Sequence, residues 1–190
     1  MNPVELHEIK NIADYEIERR TWRPQIMALK DRRRIRVGEH LTFLFENRET
    51  VRYQIQEMMR IERIVDPAAI RHEVDTYNEL IALPGELSAS LLIEYETPAE
   101  RDVALRGLLG LENHVWLAVA GYPPVKARFD TRQISTDRLS SVQYIKFPLT
   151  PEMRAHWLEG ARIIVDHPKL RAEQALTETQ LKELAGDFQP

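Results

Sequence analysis

The chain has 190 residues, 43% of them apolar and 29% charged, with 7 glycines, 11 prolines and a formal net charge of −4. That is the profile of one globular domain, long enough to bury a sizeable core without disulfides or a structural metal. It has no cysteine, so iron–sulphur ligation by the chain itself, Cys-type zinc sites and thiol nucleophiles are excluded, and with no apolar run of about 18 residues and a charged start at Met1 to Lys10, a cytoplasmic protein without a membrane partner is expected.

The charge is uneven: Lys10 to Arg36 carries nine Lys or Arg against four acids, a local +5, which leaves −9 for the remainder. This basic stretch reads as helical, interrupted at Arg23-Pro24 because proline disfavours helix in the residue before it, and resuming from Pro24 to Arg33. From Ile35 the spacing changes to period two. Ile35, Val37, Leu41, Phe43 and Phe45 fall on one side and Arg34, Arg36, His40, Thr42 and Glu46 on the other, which predicts a half-buried strand or two short strands hinged at Gly38. Glu49 to Val65 returns to helical spacing. Asp66 is the predicted cap of a further helix with Pro67 at its first position and Ile70, Val74, Tyr77 and Ile81 on its buried side, ending before Pro84-Gly85.

Leu87 to Glu96 alternates again and predicts a strand. Thr97-Pro98-Ala99-Glu100 has the form of a capping box and opens a short helix to about Leu109. His114 to Ala120 and Pro124 to Asp130 flank Gly121-Tyr122-Pro123 as a hairpin, Val142 to Phe147 is another strand, and Thr150-Pro151 starts a helix that Gly160 ends. Arg162 to Asp166 extends as a strand, and Thr177 with Gln180 caps a last helix to Ala185-Gly186. Strands reachable by hairpins, with helices grouped in blocks, predict an α+β fold: a mostly antiparallel sheet of about four to six strands with helices packed on one face and at the ends. The chain is read as a single domain, with residues 1–33 a basic helical N-terminal segment, 34–149 the α+β core and 150–190 a C-terminal helical segment.

The helix from Glu49 to Val65 carries the most chemistry. Val51, Ile55, Met58, Ile61 and Val65 form one arc, yet Glu62 projects between Val51 and Ile55, and Gln54 between Met58 and Ile61. A buried carboxylate is costly unless paired, so Glu62 is expected to have a partner, with Arg34, Arg36 and Arg48 as candidates because guanidinium and carboxylate match as forks. Glu57 is a weaker case of the same kind, and Glu46 a third acid that these arginines can serve. One reading is a structural ion-pair network that sets strand and helix register. The other is a site in which Glu62 or Glu57 acts as acid, base or metal ligand, Gln54 orients, and Arg34, Arg36 and Arg48 bind an anionic substrate beside Glu46.

Other chemistry is weakly signalled. Glu152 and His156 share a helix face, as do His72, Asp75 and Glu79, but both sets lie on polar faces, so a solvated surface is expected, with no metal site and no cofactor. No His-Glu-x-x-His, Glu-x-x-His, glycine-rich phosphate loop or Gly-x-Ser-x-Gly is present. The run Arg32-Arg33-Arg34-Ile35-Arg36 has the charge to hold phosphate, but nearby Phe43 and Phe45 are buried by pattern and the rest of the chain is acidic, so nucleic acid is not the expected partner. On the predicted hairpin, Lys126, Arg128 and Asp130 line one face against Val125, Ala127 and Phe129, a solvated face or a docking surface.

Three stretches between Arg33 and Ile64 carry a resemblance: Arg33-Arg34-Ile35 through Gly38; Thr42-Phe43-x-Phe45-Glu46-Asn47-Arg48-x-Thr50; and Gln54-Ile55-Gln56-Glu57-Met58 with Glu62-Arg63-Ile64. Together with Phe147-Pro148-Leu149 and Asp166-His167-Pro168 they resemble the bacterial domain of unknown function 3501 over nearly the whole chain. The resemblance implies no activity, fold or catalytic residues. It implies a context, since such genes often sit beside those of rubrerythrin-like and iron–sulphur proteins, and so a link to peroxide or redox physiology. Two functions are therefore carried forward: a non-catalytic accessory protein that docks a redox partner or a second copy of itself, and a small enzyme or ligand sensor built on the acids and arginines above.

Overall fold

The computed structural model describes residues 1–188, and its first long element begins where the sequence supplies a cap. The Asn11 side chain accepts from the Asp14 amide at 3.0 Å and opens α1 (Ile12–Arg32). The break expected at Arg23-Pro24 is corrected, because α1 passes through Pro24. Proline there leaves the Arg20 carbonyl without its helical donor. Both residues are exposed, which leaves the freed carbonyl open to solvent, while buried Tyr15 and Ile26 hold the two halves of the helix against the protein. Packing overrides the local preference.

Arg34–Val37 (β1) and Leu41–Glu46 (β2) form an antiparallel hairpin turned at Gly38, whose φ of +65° suits glycine. Asn47 caps α2 (Arg48–Glu62), which ends at Arg63 in the left-handed region. Asp66 accepts from the Ala69 amide at 2.9 Å to cap α3 (Pro67–Asn78), with Pro67 in its first turn as predicted. β3 (Glu86–Ile93) leads to α4 (Pro98–Gly107), opened by the Thr97 and Glu100 capping box. Next come β4 (Val115–Val119), β5 (Val125–Lys126), β6 (Arg128–Phe129) and β7 (Val142–Pro148). α5 (Pro151–Ala155), β8 (Ala161–His167), β9 (Leu170–Ala175) and α6 (Glu178–Ala185) follow.

The fold is α+β with antiparallel pairing throughout, and its strands divide into two sheets, β1-β2-β3-β7-β6 and β5-β4-β8-β9. The chain changes sheets at buried Ala127, the single residue between β5 and β6. On the far side β9 comes against the β1–β2 turn, where a Cβ at Gly38 would lie 3.1 Å from that of Ala172. β9 has no counterpart in the hydropathy pattern, because Leu-Arg-Ala-Glu-Gln-Ala is an edge strand with mostly exposed side chains.

The main core lies between the two inner faces. Phe43, Phe45, Leu87, Leu91 and Phe147 from one sheet meet Leu117, Ile163 and Val165 from the other. α4 adds Leu105, α6 adds Leu181 and Leu184, and Trp157 donates to the Leu181 carbonyl at 2.9 Å. A second apolar cluster, with Val4, Val51, Ile55, Met59, Val74 and Ile81, joins α2, α3 and the N-terminal segment. Among the described residues, no helix is long and apolar enough to cross a membrane.

Candidate functional site

The outer face of the five-stranded sheet is polar, and the helices bury much of it. Strand register places Glu46, Ser88, Lys146 and Arg128 in one row across β2, β3, β7 and β6, and Leu44, Ser90 and Tyr144 in the next. Apart from Gln143 the inner-facing alternates are apolar, so these residues point away from the core by the period of the strand. Thr42, Glu46, Ser88 and Ser90 are nonetheless buried. A carboxylate in that position needs donors. Glu46 receives two, Thr50 Oγ1 at 2.5 Å and Ser90 Oγ at 2.7 Å.

Farther along the row the cover lifts. A cavity of about 700 Å³ opens between α3 and the sheet, with Tyr77 and Glu73 on the helix side and Ser88, Tyr144, Lys146 and Arg128 on the sheet side. Its mouth is framed by an ion-pair cluster: Arg132 bonds Asp130 at 2.8 Å and also contacts Glu79 at the end of α3. Arg128 is taken by Glu86, one of whose carboxylate oxygens is otherwise buried without a donor. Lys146 is half-buried and, among the described residues, makes neither an ion pair nor a hydrogen bond through its amine. Burial pushes the Lys146 amine below the ordinary lysine value, with the Arg128 guanidinium adding to the effect and Glu79 opposing it. Burial likewise pushes the Tyr144 hydroxyl upward, helped by the charges of Glu46 and Asp130.

The residues singled out from the sequence do not converge on this cavity. Glu62 is exposed, without a hydrogen bond or ion pair among the described residues, so its expected burial and pairing are corrected. Its azimuth on α2 is the one inferred, level with buried Val51 and Ile55, but it lies in the last turn, where Ile61 is exposed as well. Axial position decided its burial, and periodicity does not report that. Glu57 is paired on the other side of α2: it accepts from Tyr15 Oη at 2.6 Å, Arg19 Nε at 2.6 Å and Arg60 Nη2 at 3.3 Å. Burial alone would raise its pKa, but these donors and the Arg19 charge outweigh it and hold the carboxyl at about 2.

The arginines serve other acids. Arg34 bonds Asp31 at 2.6 Å, Arg48 contacts Glu8, and Arg36 is exposed. Gln54 is half-buried beside Tyr77, behind the cavity. Arg33, which was counted only as part of the basic run, is 1% exposed and donates to the carbonyls of Phe45 at 2.8 Å and Glu46 at 3.2 Å while pairing with Asp187. Much of the quoted Arg33 to Thr50 pattern therefore builds a joint between β2, α2 and the C-terminal turn.

His72 and Asp75 are exposed, as are Glu152 and His156, and no three His, Asp or Glu side chains among the described residues come together as metal ligands would. Sequence reasoning missed Lys146, Tyr144 and Ser88. The alternation of Tyr144 and Lys146 with Ile145 and Phe147 marks them as one face of a strand, but nothing in it reveals that α3 roofs that face. Arg128 and Asp130 do share the expected face, while Lys126 belongs to the other sheet.

Comparison with known proteins agrees with the resemblance. The crystal structure of a novel protein of unknown function from Burkholderia pseudomallei K96243 is similar at a TM-score of 0.92 and 32% identity, covering 99% of this chain and 100% of that one. No protein of curated function matches. The model of the family described as Protein of unknown function (DUF3501) matches residues 3–188, and the chain belongs to that family.

Proposed function

We propose that the chain binds a small organic anion in the cavity between α3 and the five-stranded sheet, as a ligand sensor or small enzyme. One observation carries this reading: Lys146 is a half-buried ammonium lining the cavity, with no counter-charge in contact among the described residues, while Arg128 and Arg132 beside it are already paired. A desolvated cation is costly alone, and an anionic ligand offsets that cost. Tyr77, Phe129 and Tyr144 add aromatic walls, as small-molecule sites commonly have. The cavity is lined by none of Glu62, Glu57, Gln54, Arg34, Arg36 and Arg48 and shares with that set only the polar sheet face to which Glu46 belongs.

The test is calorimetry and thermal shift with pyruvate, benzoylformate and inorganic phosphate, on the wild type and on Lys146→Met. At least one anion should bind the wild type with Kd at or below about 1 mM and raise its Tm, and the variant should lose both effects. No binding by the wild type, or equal binding by the variant, would reject the reading.

A second reading is an accessory protein in the cytoplasm that docks a protein partner. It is supported by an open, largely apolar groove between the β1–β2 turn and α4, where His40 stacks on Tyr95 at 3.9 Å and Val103 is 72% exposed. The family context points to a redox protein as that partner, and a second copy of the chain is the other occupant. Sedimentation velocity of wild type and Val103→Asp, alone and with rubrerythrin, distinguishes them: a faster-sedimenting species that the variant loses is expected, and its absence in both mixtures counts against docking here.

A further inference from the structure

We infer that Lys146 is a carbonyl-capturing amine, which condenses with the keto group of a 2-oxo acid held in the cavity to form an imine. This rests on the reading of the cavity as a small-anion site and names the ligand class. Three placements support it. Lys146 sits on β7, which is paired on both sides by β3 and β6, so its backbone is rigid. Its cross-strand neighbours are Ser88 on one side and Arg128 on the other, with side chains about 5 Å apart at Cβ. Tyr144, two residues earlier on the same strand, shares its face of the sheet and lines the same cavity.

A lysine becomes a nucleophile at neutral pH when desolvation or a neighbouring cation favours the free amine. Both conditions hold here, with Glu79 of α3 as the opposing charge. The lining carries three acids, Glu73, Glu79 and Asp130, beside Arg128, Arg132 and Lys146. Arg128 and Arg132 are paired, and it is the N–H donors left over on their guanidinium groups that the carboxylate next to a 2-oxo acid's carbonyl would take. Tyr144 stays protonated because burial raises its pKa, and its hydroxyl is available as a proton donor. In the step itself the neutral amine nitrogen attacks the carbonyl carbon, and the C=O π pair moves to oxygen, which takes a proton. The nitrogen gives up one N–H proton, which restores its lone pair. The hydroxyl takes a second proton and leaves as water as that lone pair forms C=N, and loss of the remaining N–H proton leaves the neutral imine, so that two protons leave nitrogen and two depart with the oxygen. No oxidant or reductant is involved.

Lys30 provides an internal comparison. Burial lowers its pKa too, but it lies over the Tyr53 ring at 5.2 Å and does not line the cavity. Exposed Lys182 provides another.

The experiment is reductive trapping of the full chain at pH 7 with benzoylformate and cyanoborohydride, followed by intact-mass and peptide analysis, with Tm recorded in parallel for wild type, Lys146→Arg and Lys146→Met. One adduct per chain is expected, on Lys146, forming at least about tenfold faster than at Lys182 or Lys30, because the cavity holds the carbonyl beside that amine alone. Lys146→Arg should keep a cooperative melt and lose the adduct. If benzoylformate raises the Tm of the wild type but not of Lys146→Met and no adduct forms, the imine is refuted and anion binding stands. If no adduct forms and benzoylformate leaves the Tm unchanged, the imine is refuted, and the anion reading falls with it if pyruvate and inorganic phosphate also fail to raise the Tm. Adducts spread evenly over the lysines would also overturn the assignment.

Discussion

Replacing Glu57 with glutamine tests how α1 is held to α2. The carboxylate is 15% exposed and takes hydrogen bonds from Tyr15, from both Nε and Nη2 of Arg19, and from Arg60. Its pKa falls from an ordinary 4.5 to about 2, and at 1.36 kcal/mol per unit the ionised form contributes about 3 kcal/mol of stability at neutral pH. The sign follows from the depressed value. Above pH 4.5 the group is ionised both folded and unfolded and its contribution is complete. As the pH falls from 4.5 towards 2 the unfolded chain takes up a proton before the folded one, and the contribution disappears. Glu57→Gln should therefore cost about 3 kcal/mol at pH 7, or roughly 6–12 °C in Tm for a chain of this size. Urea titrations followed by circular dichroism at pH 7, 5, 4 and 3 should show the gap between wild type and variant narrowing over the last three. A gap that stays constant from pH 7 to 3 would refute the argument, since it would mean that shape or packing rather than charge sets the cost.

Three further outcomes follow from the packing. Arg33→Met leaves Asp187 buried without its cation and removes donors to the Phe45 and Glu46 carbonyls, so a loss of about 3–5 kcal/mol is expected by urea denaturation, of which Asp187→Asn in the same chain should recover at least about 1 kcal/mol. Trp157 is 1% exposed, packs edge-on against Phe188 at 5.3 Å and donates to Leu181; Trp157→Ala should cost about 3–5 kcal/mol, and a loss under about 1 kcal/mol would place α6 outside the cooperative unit. Pro24→Ala restores a donor in the middle of α1 at an exposed position and should stabilise the chain by about 2 kcal/mol, the helix gain less the added freedom of the unfolded state; a lower Tm would contradict that account.

The helix starts show how far local chemistry reaches. Asp66-Pro67, Thr97 with Glu100 and Thr177 with Gln180 each cap the helix they were expected to cap, because a cap is completed by atoms three residues apart. The alternation at Ile35 to Phe45 and Leu87 to Ile93 likewise marked side chains that enter the core. Glu62 shows where this stops. A helical wheel gives an azimuth, and burial also needs something to lie opposite; Val51, Ile55 and Met59 meet Val4, Val74 and Ile81, whereas the last turn, with Glu62 and Ile61, is left exposed. Glu46 departs in its partners: an arginine was expected to serve it, and under the cover of α2 its donors are instead Thr50 and Ser90.

The sequence by itself determined the class of the fold, the positions of the caps and turns, and which alternating side chains are apolar, because each of these depends on residues a few positions apart. Only the tertiary structure decided that the strands form two sheets joined at Ala127, that α1 runs through Pro24, and that Ser88, Tyr144, Lys146 and Arg128 share one cavity beneath α3. These residues come from three strands separated by up to 58 positions, and their meeting is a property of how the layers stack, which no local spacing records.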